Sequence, residues 1–513
     1  MLSTVYSAGN LGIDGYSVVV ECSAWKRMAA FEIVGLPDAS VKEAKERVRS
    51  ACQNSGIPFP ALEILVNLAP ANMKKEGSAF DLAIVVAILR SDGKFPLDVP
   101  MDDKCFIGEL SLSGRVRAVN GALSLAMAAR SAGQTEVFVP EENAREAAVV
   151  SGITVYGVRD VPQLLSHLRG EKAIEPTRYD TADFRARAGK SDVDFSDVRG
   201  QIAAKRALEV AAAGGHNVLL IGSPGSGKSM LAKRLPTILP DLTFEEALET
   251  TRIHSVAGCL RESPIAERPF RSPHHTVSPV GMIGGGASPR PGEISLAHNG
   301  VLFLDEFPEF SKALTESLRQ PLEDGEVTVT RAMARVRYPA AFMLVCAMNP
   351  CRCGYYGDPN HVCTCKSEDV HRYLSKISGP MLDRMDIQVA IPSLTFDEMN
   401  APATDAETSA TVRARVNAAR AFGRERFRDA GVTSIHCNAH MTPRQVQEHC
   451  RPDKEGEDLL RIAFDSLGLS GRGHDKILRV ARTIADLAGA ERISAPHIAE
   501  AISYRSLDRK FFS

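Results

Sequence analysis

The stretch NVLLIGSPGSGKSMLAKRL, residues 217–235, constrains the fold more than any other part of the 513-residue chain. Four apolar residues, Val218 to Ile221, lead into Gly222-Ser223-Pro224-Gly225-Ser226-Gly227-Lys228-Ser229, and a helix-forming run follows. A strand that is apolar on both faces belongs inside a parallel sheet covered by helices. The glycines let backbone N–H groups turn inward around an anion at the helix N-terminus. Strand, loop and helix in this order are the context in which such a loop holds a nucleoside triphosphate. Lys228 reaches the β and γ phosphates and Ser229 can ligate Mg²⁺. The class is α/β, with ATP and Mg²⁺ as the expected cofactors.

Two later strands complete a hydrolytic set. GVLFLDEFPEF, residues 300–310, ends its apolar run in Asp305 and Glu306. An aspartate at a strand's carboxyl end can hold Mg²⁺, and the adjacent glutamate can orient an attacking water as general base. AFMLVCAMNP, residues 341–350, ends in Asn349, whose amide can bridge the γ-phosphate and that water. Hydrolysis, beyond mere binding, is the chemistry these residues imply.

Residues 1–170 alternate strand-like and helix-like segments, among them YSVVVEC, LEILVNLAP, FIGELSL and EVFVP as strands and SVKEAKERVRSACQNSG and SAFDLAIVVAILRSDG as helices. Residues 171–194 are polar without an apolar period and read as a linker. Residues 195–400 alternate again, and 401–513 read as almost purely helical. With 61 basic and 63 acidic side chains, any nucleic-acid surface has to be a local patch. No run of eighteen apolar residues and no leader pattern occurs, so no membrane partner and a cytoplasmic location are expected. Eleven cysteines without such a leader point to reduced thiols.

Four of those cysteines crowd into CRCGYYGDPNHVCTC, residues 351–365, directly after Asn349. Cys351, Cys353, Cys363 and Cys365 offer soft ligands that suit tetrahedral Zn²⁺, and the turn GYYGDPN can fold one pair back on the other. His361 could replace one sulfur. The competing readings are a plain reduced-thiol loop and redox chemistry.

The segments GSPGSGKS, GVLFLDEFPEF, CAMNPCRCGYYGD and SGPMLDRMDI together resemble the magnesium-chelatase-like AAA+ ATPases of the YifB/ComM type over essentially the whole length. That resemblance implies a homo-hexameric, ATP-driven DNA helicase or translocase. The competence-associated members promote branch migration on single-stranded or branched DNA, with recombination proteins as further partners. It assigns Lys228, the pair Asp305 and Glu306, and Asn349 to Walker A, Walker B and sensor 1. Arg384 matches an arginine finger acting on the neighbouring subunit. Arg472 matches sensor 2, with Arg479 as the alternative because both lie near the start of one helix. A chelatase-like protein-remodelling chaperone is the alternative function.

The segment IGELSLSGRVRAVNGALSLAMAARSAGQTEVFVPEEN resembles the proteolytic (S5-type) domain of Lon proteases, which pairs a serine with a lysine. Here the corresponding positions hold Ala79 and Leu123. Ser78 is one residue off and Lys74 and Lys75 lie in the wrong segment, so a scaffold or DNA-binding collar is expected and proteolysis is not. For DNA contacts, the Gly- and Pro-rich insertion at 268–300 contributes Arg271 and Arg290. An expected hairpin, GEVTVTRAMARVRYPA, contributes Arg331, Arg335 and Arg337. His274 and His275 are equally compatible with structural and DNA-contacting roles.

Overall fold

The computed structural model describes residues 2–92, 99–187, 189, 192–286, 289–331, 334–358, 360–393, 407–429, 437–507 and 511. The N-terminal region is built on an eight-stranded mixed sheet. Its order is Pro176–Thr177, Thr154–Val158, Glu136–Pro140, Lys104–Phe106, Leu2–Leu11, Asp14–Trp25, Glu63–Ala69, Ala30–Val34. The chain's first ten-residue strand sits inside this sheet, paired antiparallel with Asp14–Trp25. Nothing in the hydrophobic pattern signals it, because its buried face carries Ser3 and Ser7 beside Val5. Those hydroxyls are satisfied by carbonyls, Ser3 by Ala87 at 2.7 Å and Ser7 by Phe106 at 2.8 Å. The helices Ala39–Asn54 and Asp81–Asp92 form where the apolar periodicity places them, the first capped by Asp38 accepting from the Val41 N–H at 2.8 Å, and Ala122–Ser131 is a further helix.

The second sheet is entirely parallel, in the order Phe270–Arg271, Val301–Leu304, Met343–Met348, Val218–Gly222, Ile387–Ile391. Its central strands are buried on both faces, as their continuous apolar runs require. The chain order of neighbouring strands reverses beside Val218–Gly222, which opens a crevice at the carboxyl ends. Contrary to its reading as loop alone, the 268–300 insertion supplies the edge strand Phe270–Arg271 and buries Met282, Ile294 and Leu296.

The hairpin Glu326–Arg331 with Ala334–Pro339 stands just before the strand Met343–Met348. Val327, Val329, Val336 and Tyr338 point inward, while Arg335 and Arg337 are exposed. Helices Ser409–Asp429, Pro443–His449, Lys454–Leu467, Gly471–Leu487 and Ala495–Ser503 share one apolar core with a face of the parallel sheet. The buried Lys476–Asp386 pair, 2.9 Å apart, also joins them.

Segment 171–194 is more than a tether. It contains the helix Thr181–Arg187, and Phe184 stacks edge-on against Phe244 with ring centroids 5.7 Å apart. The helix Phe244–Ala257 then docks on the N-terminal region. Arg252 donates to the Ile13 carbonyl at 3.1 Å and to Asp14 at 2.6 Å, and Ser255 Oγ accepts from the Gly121 N–H at 2.9 Å.

Candidate functional site

At the carboxyl ends of the parallel sheet, the phosphate loop opens into the helix Lys228–Arg234. Gly225 and Gly227 hold φ values of +77° and +93°, conformations that a side chain would strain. Gly222 is needed for space, since a Cβ there would lie 2.4 Å from the Ile391 carbonyl oxygen. Lys228 Nζ donates to the Gly222 and Ser223 carbonyls at 2.8 Å each and to Asn349 Oδ1 at 3.1 Å. Burial pushes its ammonium pKa down, opposed by the Asp305 carboxylate. Ser229 Oγ donates to Asp305 Oδ2 at 2.6 Å, bringing the two expected Mg²⁺ ligands together. Ser226 Oγ is buried without a hydrogen-bond partner among the described residues, a condition that a bound phosphate oxygen would relieve. These residues fit Mg²⁺–ATP.

Glu306 is 62% exposed and adopts a left-handed backbone, φ +52°, its N–H donating to Asp305 Oδ1 at 3.0 Å. This strained turn leaves the carboxylate exposed. Glu306 Oε2 meets His275 Nδ1 at 3.4 Å, and His275 lies against His274 with ring centroids 4.1 Å apart. The adjacent histidines were the only sequence signal for this contact, and nothing in their spacing linked them to Glu306.

Arg384 is buried. Its guanidinium donates to the Pro380 carbonyl at 2.8 Å and pairs with Glu323. Within one chain, therefore, this arginine is held rather than extended. Arg472 is exposed at the start of the helix Gly471–Leu487, and Arg479 lies two turns further along, its Nε buried without a hydrogen-bond partner among the described residues.

The four thiols converge: one sulfur from each of Cys351, Cys353, Cys363 and Cys365 lies within 4.8 Å of all the others. Three of the separations are 3.3, 3.7 and 3.6 Å. Tetrahedral Zn²⁺ with bonds of ~2.3 Å sets its sulfurs about 3.8 Å apart, so the donor set fits that ion. Backbone N–H groups, first that of Tyr355, bring the Cys353 thiol down to about 5, whereas burial raises Cys351. His361 does not join this group; its ring stacks on Tyr355 at 4.7 Å and its Nδ1 lies 3.4 Å from Asp358.

Of the arginines expected to meet DNA, Arg271 is engaged in a two-point pair with Glu293 at 2.7 and 2.8 Å. Arg290 is exposed on a short strand beside Pro289, whose carbonyl accepts from Tyr338 of the hairpin at 2.7 Å. Arg335 is exposed and Arg337 lies 3.8 Å from Glu326. Arg331 pairs through its backbone with Ala334, and its side chain lies outside the described residues.

In the N-terminal region Leu123 is fully buried in an apolar cluster that also includes Ala79. Ser78 instead bonds Glu109, and Lys75 Nζ donates to the Met73 carbonyl at 2.9 Å. Phe244 and Leu248 of the docked helix pack against the same cluster.

Among the described residues no helix is long and apolar enough to cross a membrane. Family models described as "Magnesium chelatase, subunit ChlI", "Subunit ChlI of Mg-chelatase" and "Magnesium chelatase, subunit ChlI C-terminal" match residues 194–399, 20–143 and 406–505. The chain is 41% identical to Competence protein ComM of Haemophilus influenzae over 99% of its length and 98% of that protein. It is 42% identical to YifB of Escherichia coli, with 99% of this chain and 98% of YifB covered. The magnesium-chelatase 38 kDa subunit of Cereibacter sphaeroides is more distant, 25% identical over 60% of this chain and 89% of that subunit. With a parallel-sheet nucleotide site and end-to-end similarity of this order, the chain belongs to the magnesium-chelatase-like AAA+ family of YifB and ComM.

Proposed function

We propose that this chain is the subunit of a hexameric, ATP-hydrolysing DNA motor, a helicase or translocase that promotes branch migration during the recombination of incoming DNA. One observation carries this reading. The strand that ends in Asn349 at the nucleotide site begins four residues after the arginine-bearing hairpin ends at Pro339. A change at the γ-phosphate and a shift of Arg335 and Arg337 are therefore linked through one strand and the short connection before it. Exposed arginines on a hairpin suit phosphate contacts. The similarity to a protein named for competence supports the same reading.

In this scheme Lys228 releases Asn349 to meet the triphosphate, and Asn349 orients the attacking water while Glu306 accepts its proton. Mg²⁺, held by Ser229 and Asp305, would neutralise charge on the β and γ phosphates. Arg384 would reach the neighbouring subunit's nucleotide once assembly separates it from Glu323. Structural Zn²⁺ is assigned to the four thiolates, a closed site without an open position for water.

A chelatase-like motor that remodels a partner protein is the second reading, favoured by the family models and by the similarity to the chelatase 38 kDa subunit. Measuring ATPase rate with single-stranded, double-stranded and branched DNA separates the two. Stimulation by branched or single-stranded DNA is expected, and an unchanged rate with every DNA would sink the motor reading.

A further inference from the structure

The cysteine loop leaves the sheet beside Asn349, yet its turn comes back against the phosphate loop. Gly354, at φ +90°, is seated on Pro224 so closely that a Cβ would lie 2.5 Å from Pro224 Cδ. Four residues on, the Asp358 side chain is 5% exposed and accepts from the N–H groups of Asn360 and His361 at 2.8 and 3.1 Å. Its other oxygen accepts from Ser393 Oγ at 3.0 Å, and Ser393 Oγ lies 2.6 Å from Ser223 Oγ of the phosphate loop. Ser393 follows the last strand of the sheet. The turn thus touches the phosphate loop twice, once by packing and once through a hydroxyl relay.

From this geometry we infer that Asp358 and Ser393 are positioning residues for ATP binding, and that they make nucleotide affinity depend on the metal held by the four thiolates. The inference rests on the metal reading of the cluster. Cys351 is buried in the ATPase core and Cys353, Cys363 and Cys365 pack against its edge, and by tying the four sulfurs together the ion would fix the turn that presents Gly354 and Asp358. With the turn fixed, Ser223 and Pro224 are held in the shape that surrounds phosphate. Without the ion the turn loosens, both contacts are lost together, and part of the binding free energy goes into ordering the phosphate loop.

The test uses the full-length protein purified without chelator, a fluorescent non-hydrolysable ATP analogue, metal analysis and melting temperature. Asp358→Asn and Ser393→Ala should each raise the Kd about tenfold, the scale of losing a buried bond to a charged group, while retaining zinc. Ser393→Thr, which keeps the hydroxyl, should restore affinity. Stripping zinc from the unmutated protein should raise the Kd to a similar extent, and stripping it from Asp358→Asn should add less than about twofold, because both act through one path. Zinc present but a Kd unmoved by its removal would overturn the coupling alone, as would losses that multiply. Protein holding less than about a tenth of an equivalent of zinc would overturn the metal reading, and this inference with it.

Discussion

Two regions of this chain drew a catalytic reading from the sequence, one for ATP hydrolysis and one against proteolysis, and packing has treated them in opposite ways. Around the phosphate loop, Lys228 and Ser229 at a helix start and Asp305 and Asn349 at strand ends satisfy one another across a crevice. Around Ala79 and Leu123, the positions singled out by the resemblance to Lon proteases, apolar side chains pack into a continuous core, with the ATPase region's Phe244 and Leu248 at its edge. Polar groups that work on a ligand need space and exchangeable partners. A core needs neither, and once filled it becomes part of the support for the region docked on it.

The sharpest way to break this contrast lies at the nucleotide site. Glu306→Gln is expected to bind ATP and to hydrolyse it as much as ~10⁴-fold more slowly, whereas Lys228→Ala should lose binding itself. Single-turnover hydrolysis and equilibrium binding on the same preparations check both, and normal turnover in Glu306→Gln would remove it from the base role. Arg384→Ala should cost about 10³-fold in turnover with nucleotide affinity retained. Mixing it with Glu306→Gln should recover some hydrolysis at mixed interfaces. An absence of rescue would leave Arg384 as the structural partner of Glu323.

The other half of the comparison is tested by stability. Leu123→Ala should destabilise the N-terminal region by about 2–5 kcal/mol, read by denaturant melting, because the fully buried side chain leaves a cavity. Ala79→Ser with Leu123→Lys should lower stability without producing ATP-dependent cleavage of unfolded substrates; peptide release would contradict the scaffold assignment. A smaller effect is expected at the hairpin. Arg335→Ala or Arg337→Ala should weaken DNA binding uniformly across sequences and reduce the slope of log K against log salt by about one each.

The Asp358 contact itself should yield only to strong acid. The Asn360 N–H, with Ser223, Ser393 and His361, holds the Asp358 carboxyl well below the ordinary carboxylate range, at about 2. A depressed carboxyl stabilises the fold above its unfolded value, and that contribution is lost as pH falls through 3.8 toward 2. Acid unfolding of Asp358→Asn should lose that pH dependence.

Legibility followed the kind of signal each element carries. The phosphate loop and the strands ending in Asp305 and Asn349 were legible because motif and continuous apolar run coincide there. The first strand was not, because Ser3 and Ser7 fill its buried face and their bonds to Ala87 and Phe106 are tertiary. Segment 171–194 looked like a tether because Phe184 has no apolar period around it, yet Phe184 on Phe244, Arg187 on Glu262 and Pro264, and the strand Pro176–Thr177 dock it.

By itself the sequence determined the nucleotide chemistry, the order of the regions and the four-cysteine donor set, since each is a local pattern of residue types at fixed spacing. Tertiary structure decided which distant side chains share space. It set His275 against Glu306, held Arg384 with Glu323, left His361 outside the thiol cluster and brought Asp358 through Ser393 to Ser223. Contacts between residues tens to more than a hundred positions apart depend on how sheets and loops pack, and no local pattern in the chain encodes them.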